Sequence, residues 1–174
     1  KESAKTTYGP TNSWNVSQIT DMSDLFKNND TFNSDISSWN VSNVGNMGYM
    51  FYSGYVFNQD ISTKIINAGQ TDEYVAWDVS NVSDMRFMFF KAKKFNQNIS
   101  EWNVSKVTNM LYMFDDAKEF NQNISTKKIN EGQTDEYVAW NVSEVLVMNR
   151  MLMNAEVFNN GEAEGESSAP LNWN

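Results

Sequence analysis

The chain contains neither cysteine nor histidine. The first absence removes disulfide frameworks and thiolate chemistry. The second removes the commonest general base, the commonest transition-metal ligand and the usual pH switch. Any catalysis would have to run on carboxylates or hydroxyls. No apolar run approaches the length that spans a bilayer, and Lys1 to Pro10 lack the apolar stretch of a signal peptide, so direct membrane insertion by this segment is not expected. Basic patches are missing as well. A net charge of −9 and a pI near 4.4 set the chain against phosphate backbones and anionic headgroups, which argues against nucleic acid as a partner. Asp21, Asp35, Asp60 and Asp84 do not fall in a D-x-D-x-D-G loop of the kind that gathers calcium's roughly six or more oxygens. No recognisable element builds a cleft around paired carboxylates. The chain is therefore expected to carry no cofactor and not to be an enzyme.

What is present suffices for a folded domain: 174 residues, 40% hydrophobic and 14% aromatic. Asparagine is abundant, and lysine far outnumbers arginine, which occurs only at Arg86 and Arg150. This bias reads as nucleotide composition rather than chemistry.

The dominant feature is a repeat. Trp14, Trp39, Trp77, Trp102 and Trp140 are separated by 25, 38, 25 and 38 residues, so that a pair of unequal coils recurs every 63. Aligned on tryptophan, the apolar columns run through Val41, Val79 and Val104, then Val44, Val82 and Val107. Methionine follows at Met22, Met47, Met85, Met110 and Met148, then pairs such as Met50-Phe51 and Met88-Phe89, then Phe32, Phe57, Phe95, Phe120 and Phe158. Ile36, Ile61, Ile99 and Ile124 close the coils. The steps from the second valine to Ala92 or Ala117 are three or four residues, the spacing of one helical face. A serine three past each tryptophan stands where it would cap that helix. The stretch from Phe95 to Val104 reads as extended chain with one short strand.

One such coil cannot cover its own apolar face, whereas stacked coils share a continuous core. The expected fold is an α/β repeat: a leucine-rich-repeat-like solenoid of about five coils, each with one short parallel strand and one short helix. Ladders of Trp, Met and Phe would fill the interior. The asparagines after each closing phenylalanine (Asn33, Asn58, Asn96, Asn121, Asn159) would bond the backbone of neighbouring coils. Residues 1–13 would form an N-terminal extension or cap, and the repeats occupy 14–160 as coils 14–38, 39–76, 77–101, 102–139 and 140–160. Residues 161–174 would hold an acidic loop and the start of a truncated further coil.

The longer coils carry insertions, Thr63 to Ala76 and Thr126 to Ala139, that match at most positions. Turn signals at Asn67-Ala68-Gly69-Gln70 and Asn130-Glu131-Gly132-Gln133 predict two inserted β-hairpins, with Gly69 and Gly132 at positive φ. Two coils rise about 10 Å, the width of two strands, so the hairpins are expected to pair edge to edge.

The motif W-[ND]-V-S-x-[VI]-x-x-M-x-x-[ML]-F-x-x-A-x-x-F-N-Q-[DN]-I-S, as it stands in Trp77 to Ser100 and Trp102 to Ser125, resembles the repeats of the BspA-like leucine-rich-repeat bacterial surface proteins. The likeness is to the short variety found in mycoplasma-type surface lipoproteins. It implies an extracellular, cell-surface protein with a non-enzymatic role in adhesion, binding a protein or glycan. Its family supplies no binding residues to carry over, and the oligomeric state is left open.

Two sets of residues are candidate ligand contacts. Asp72, Glu73 and Tyr74, with Asp135, Glu136 and Tyr137, would form an acidic, aromatic-edged stripe on the hairpins. Their alternative role is to widen the coil and guard a strand edge. Tyr49, Tyr52, Phe87, Phe90 and Tyr112 vary between coils and are not needed inside, which suits protein or sugar contacts or packing on the next coil. Against the binding reading stands a structural spacer with no ligand of its own.

Overall fold

A computed structural model describes residues 9–162 and 173. Successive coils lie on one another, and like columns meet. Phe51 stacks on Phe89, and Phe89 on Phe114, with ring centroids 5.5 Å apart in both pairs. A second file runs through Phe32, Phe57, Phe95, Phe120 and Phe158 at 5.8 to 6.0 Å. Trp39, Trp77, Trp102 and Trp140 are buried with the methionine and valine columns in one continuous core. Each indole also serves as a polar tie. Trp77 Nε1 donates to the Ile36 carbonyl at 2.9 Å, Trp102 to Ile61 at 3.1 Å and Trp140 to Ile99 at 2.8 Å.

The helix expected in each coil is absent: the only helical element among the described residues is a short 3-10 turn, Thr11–Ser13. The 85–95 segment shows why. Its amides alternate between two destinations. Met88, Phe90 and Ala92 donate three residues back to Met85, Phe87 and Phe89, closing overlapping β-turns. Met85, Phe87, Phe89 and Lys91 donate instead to carbonyls of the next coil, at Asn109, Leu111, Met113 and Asp115. Half of the amides a helix would use are thus spent between coils. Phe87 and Lys91 take left-handed φ values of 55° and 58°, which no α-helix accommodates, and Tyr49, Ser53, Tyr112 and Asp116 repeat them.

The parallel strand expected in each coil is likewise absent. Parallel pairing is reduced to single bridges, Asp21 to Asn46, Asn46 to Asp84, Asp84 to Asn109 and Asn109 to Val147, away from the 95–104 stretch. Nor do the serines cap helices. The asparagine or aspartate two residues before each serine accepts that serine's amide, as Asn40 Oδ1 does from Ser42 at 3.2 Å and Asp78 Oδ1 from Ser80 at 3.0 Å. The same device recurs at Asp84 with Arg86 and at Asn98 with Ser100. Side-chain turns of this kind bend the chain at three places in each of the first four coils and stand where helix and strand were expected. They also give the abundant asparagine a chemical role beyond composition. The asparagine file after each phenylalanine bonds as expected: Asn58 N donates to Asn33 Oδ1 at 2.9 Å and Asn96 N to Asn58 Oδ1 at 2.9 Å.

The two hairpins form. Strands β1 (Lys64–Ile66) and β2 (Tyr74–Ala76) pair antiparallel, as do β3 (Lys127–Ile129) and β4 (Tyr137–Ala139). Gly69 and Gly132 sit at φ 75° and 79° in their loops. The hairpins do not pair edge to edge but remain two separate sheets. Each leaves the stack and returns to the same place: Trp77 N donates to Trp39 O, and Trp140 N to Trp102 O, both at 3.1 Å. The coil lengthens without losing its register. The acidic stretch from Ala163 to Asn172 lies outside the described residues, but Trp173 Nε1 donates to Ile124 O at 2.6 Å and so continues the tryptophan file.

Candidate functional site: the cleft between the hairpins

A strand turns alternate side chains to opposite faces. In the first hairpin the cross-strand pair Ile65 and Val75 therefore shares one face, and both are open to solvent at 59% and 38%. In the second, Ile129 and Tyr137 form the matching pair of the other face. These two faces wall a cleft of about 490 Å³, with Val79 and Asn103 of the intervening coils also lining it. Unpaired hairpins thus leave a concave space where a continuous sheet had been expected.

The cleft is acidic. Asp78, Glu101, Asp135 and Glu136 line it with one lysine, Lys64, whose Nζ lies 2.7 Å from Asp60 Oδ2, while Lys127 and Lys128 approach Glu101 and Glu136 from outside the lining at 3.9 and 4.0 Å. Tyr137 registers this field. Its phenol is pushed up to about 12, first by burial and then by the negative charges of Glu101, Asp78 and Asp135. Its hydroxyl donates to the Glu101 carbonyl at 2.6 Å, pinning the hairpin to the coil below. Tyr74 does the same with the Ser38 carbonyl at 2.6 Å.

The hairpin residues singled out in the sequence have local partners. Asp72 Oδ2 accepts from Asn67 Nδ2 at 2.7 Å, and Glu73 Oε2 from the Gly69 amide at 2.5 Å. Asp135 and Glu136 repeat this with Asn130 and Gly132 at 2.6 and 2.7 Å. These bonds hold the loops that bring the glycines to positive φ. The six residues do not form one stripe: Asp135, Glu136 and Tyr137 face the inter-hairpin cleft, whereas Asp72 and Tyr74 line a recess beside Asn15 and Ser38 of the first coil.

Tyr49, Tyr52, Phe87, Phe90 and Tyr112 come together elsewhere, and none lines the cleft. Tyr49 stacks on Phe87 at 4.8 Å, Phe87 on Tyr112 at 4.7 Å, and Tyr52 on Phe90 at 4.8 Å. All five are half-buried. Lys27 Nζ lies 4.5 Å from the Tyr49 ring and the Arg150 guanidinium 5.5 Å from that of Tyr112, so cations flank the file at both ends. The rings cover one another's faces, packing on rings of neighbouring coils rather than on the helix of the next coil. Among the described residues, no group of three or more acidic side chains is arranged to hold a metal ion, and no helix is long and apolar enough to cross a membrane.

Ile65, Val75, Asp78 and Glu101 were not singled out in the sequence. A signal for the last two is present: a shift of 63 residues carries Asn15 onto Asp78 and Ser38 onto Glu101, two of several changes of charge between these coils.

A stack of two-coil units with one hairpin per unit defines a repeat protein, and one family model matches the chain twice. The chain belongs to the family described as "Mycoplasma protein of unknown function, DUF285", which matches residues 2–71 and 65–167. The two matches begin 63 residues apart, at 2 and 65. No curated protein and no solved structure matches the chain.

Proposed function

We propose that this chain is a non-enzymatic binding module of a bacterial cell surface, recognising a protein or glycan of a host or neighbouring cell. The observation that carries the reading is the inter-hairpin cleft, a concave space with exposed aliphatic side chains on one wall and carboxylates at its rim. Ile65 and Val75 are held open on the hairpin, whereas the apolar columns of the three central coils are buried in the stack. Membership of the mycoplasma family and the resemblance to BspA-like surface proteins support the extracellular setting.

The second reading is a spacer that holds another part of a surface lipoprotein away from the membrane. It is favoured by the unbroken phenylalanine files, which make the stack a continuous rod of packed rings.

The deciding experiment pairs the chain with a variant whose hairpins are cut back to plain coils, in a pull-down from cell-surface extracts and on a glycan array. The binding reading expects partners that the chain captures and the trimmed form does not. Equal capture by both forms removes the hairpins from the function, and capture by neither supports the spacer.

A further inference from the structure

Resting on the binding reading above, we infer that the inter-hairpin cleft takes a basic peptide segment, one in which a lysine or arginine adjoins an aliphatic residue. The cation would sit among Asp78, Glu101 and Asp135, and the aliphatic side chain against Ile65 and Val75.

The charge argument starts from what the fold requires at these positions. Position 78 heads a side-chain turn, and Asp78 Oδ1 accepts the Ser80 amide at 3.0 Å. Asn15, 63 residues earlier, does the same work for Ser17 at 3.1 Å without a charge. Position 101 supplies a backbone carbonyl to Tyr137, and Ser38 supplies the same carbonyl to Tyr74. The negative charges of Asp78 and Glu101 are therefore additional to what holds the coils together. Asp78 Oδ2 has no hydrogen bond among the described residues, and the nearest cation to Glu101 is Lys127 Nζ at 3.9 Å. A cleft with aliphatic walls and incompletely neutralised carboxylates is complementary to a cationic, partly apolar chain and unfavourable for an anionic one. Ile65 and Val75 add selection for a peptide over a simple polyamine, because a polyamine leaves them in water.

The internal repeat also supplies the test variant. Asp78→Asn with Glu101→Ser installs the residues that the chain already carries at 15 and 38, so the fold tolerates them. Asp35→Asn with Glu144→Gln removes the same charge elsewhere; asparagine stands in place of Asp35 at positions 98 and 123, and glutamine in place of Glu144 at 18. The probes are fluorescein-labelled peptides of alternating lysine and leucine, and of alternating glutamate and leucine, followed by anisotropy, with near-UV circular dichroism of the tryptophans to verify the fold. The lysine peptide is expected to bind the parent chain, to weaken about tenfold with Asp78→Asn/Glu101→Ser, as two partly exposed ion pairs warrant, and to change less than about twofold with the control pair. Ile65→Thr should weaken it as well. The glutamate peptide should not bind.

Equal weakening by both variant pairs, or binding of both peptides alike, overturns the inference, because attraction would then be to net charge alone. Failure of the lysine peptide to bind overturns it too. If hairpin-dependent capture of a protein or glycan nevertheless persists in the pull-down or on the array, the broader binding reading stands and only the chemistry assigned to the cleft is lost.

Discussion

Trp77 donates its indole N–H to the carbonyl of Ile36, 41 residues earlier, at 2.9 Å, and both residues are fully buried. One side chain thus closes the coil below while filling the core of its own. Trp77→Phe keeps most of the apolar surface but leaves that carbonyl only the Trp39 amide, at 3.1 Å, and should cost about 1 kcal/mol. Trp77→Ala adds a cavity and should cost about 3–5 kcal/mol. Urea unfolding followed by tryptophan fluorescence measures both, and a Trp77→Phe variant as stable as the parent would refute a separate role for the indole N–H.

Lys91 holds φ at 58°, a conformation that suits asparagine better than lysine, and the equivalent positions Asn28 and Asn154 carry it at 57°. Lys91→Asn is expected to raise stability by about 0.5–1 kcal/mol. A fall in the urea midpoint would contradict the assignment of a left-handed residue here.

Asn98 Oδ1 accepts the amide of Ser100 at 3.0 Å, and aspartate does this work at Asp35 and Asp60. Asn98→Asp should leave stability within about 0.5 kcal/mol, whereas Asn98→Ala should lose about 1 kcal/mol because the turn loses its acceptor. Thermal unfolding of the pair separates a turn-forming residue from an incidental one.

Tyr137 carries a folded-state pKa of about 12 against an ordinary value near 10, owing first to burial and then to Glu101, Asp78 and Asp135. The folded chain holds this proton more tightly than the unfolded one. Its contribution is therefore complete below about pH 10 and is lost as the pH rises from there to about 12. Absorbance at 295 nm should show a late phase from Tyr137 in the native protein, and Tyr137→Phe should remove it. In Asp78→Asn/Glu101→Ser the same phase should move to lower pH.

Much of the fold was legible because apolar columns report which way side chains point. Spacing places Trp102, Met110, Phe114 and Phe120 in the interior, and each is fully buried. The same columns also fit a helix, which the chain does not form. Spacing of three and four residues places Met85, Met88, Phe89 and Ala92 inside whether their amides bond within the coil or across to Asn109 and Met113, and it does not say which. A second cue was present in the asparagine and aspartate two residues before each serine, since such residues compete with helices for backbone amides. The hairpins were legible from Gly69 and Gly132, whose φ values match the turn chemistry. The cleft was not. Its apolar wall arises from pairing Ile65 with Val75, and its charge from substitutions visible only when residues 15 and 38 are compared with 78 and 101.

The return of the chain to the Trp39 and Trp102 carbonyls after each hairpin has a consequence at the level of the gene. A length of 63 residues restores the backbone register of the stack, as Met22 N to Asn46 O recurs at Met85 N to Asn109 O, so it can be duplicated or excised as a cassette with only the two junctions to satisfy. Each cassette gained brings one more hairpin and one more space between neighbours. Under the binding reading proposed above, valency grows in step with length, and avidity for a repetitive partner is tuned by copy number without changing a single contact residue.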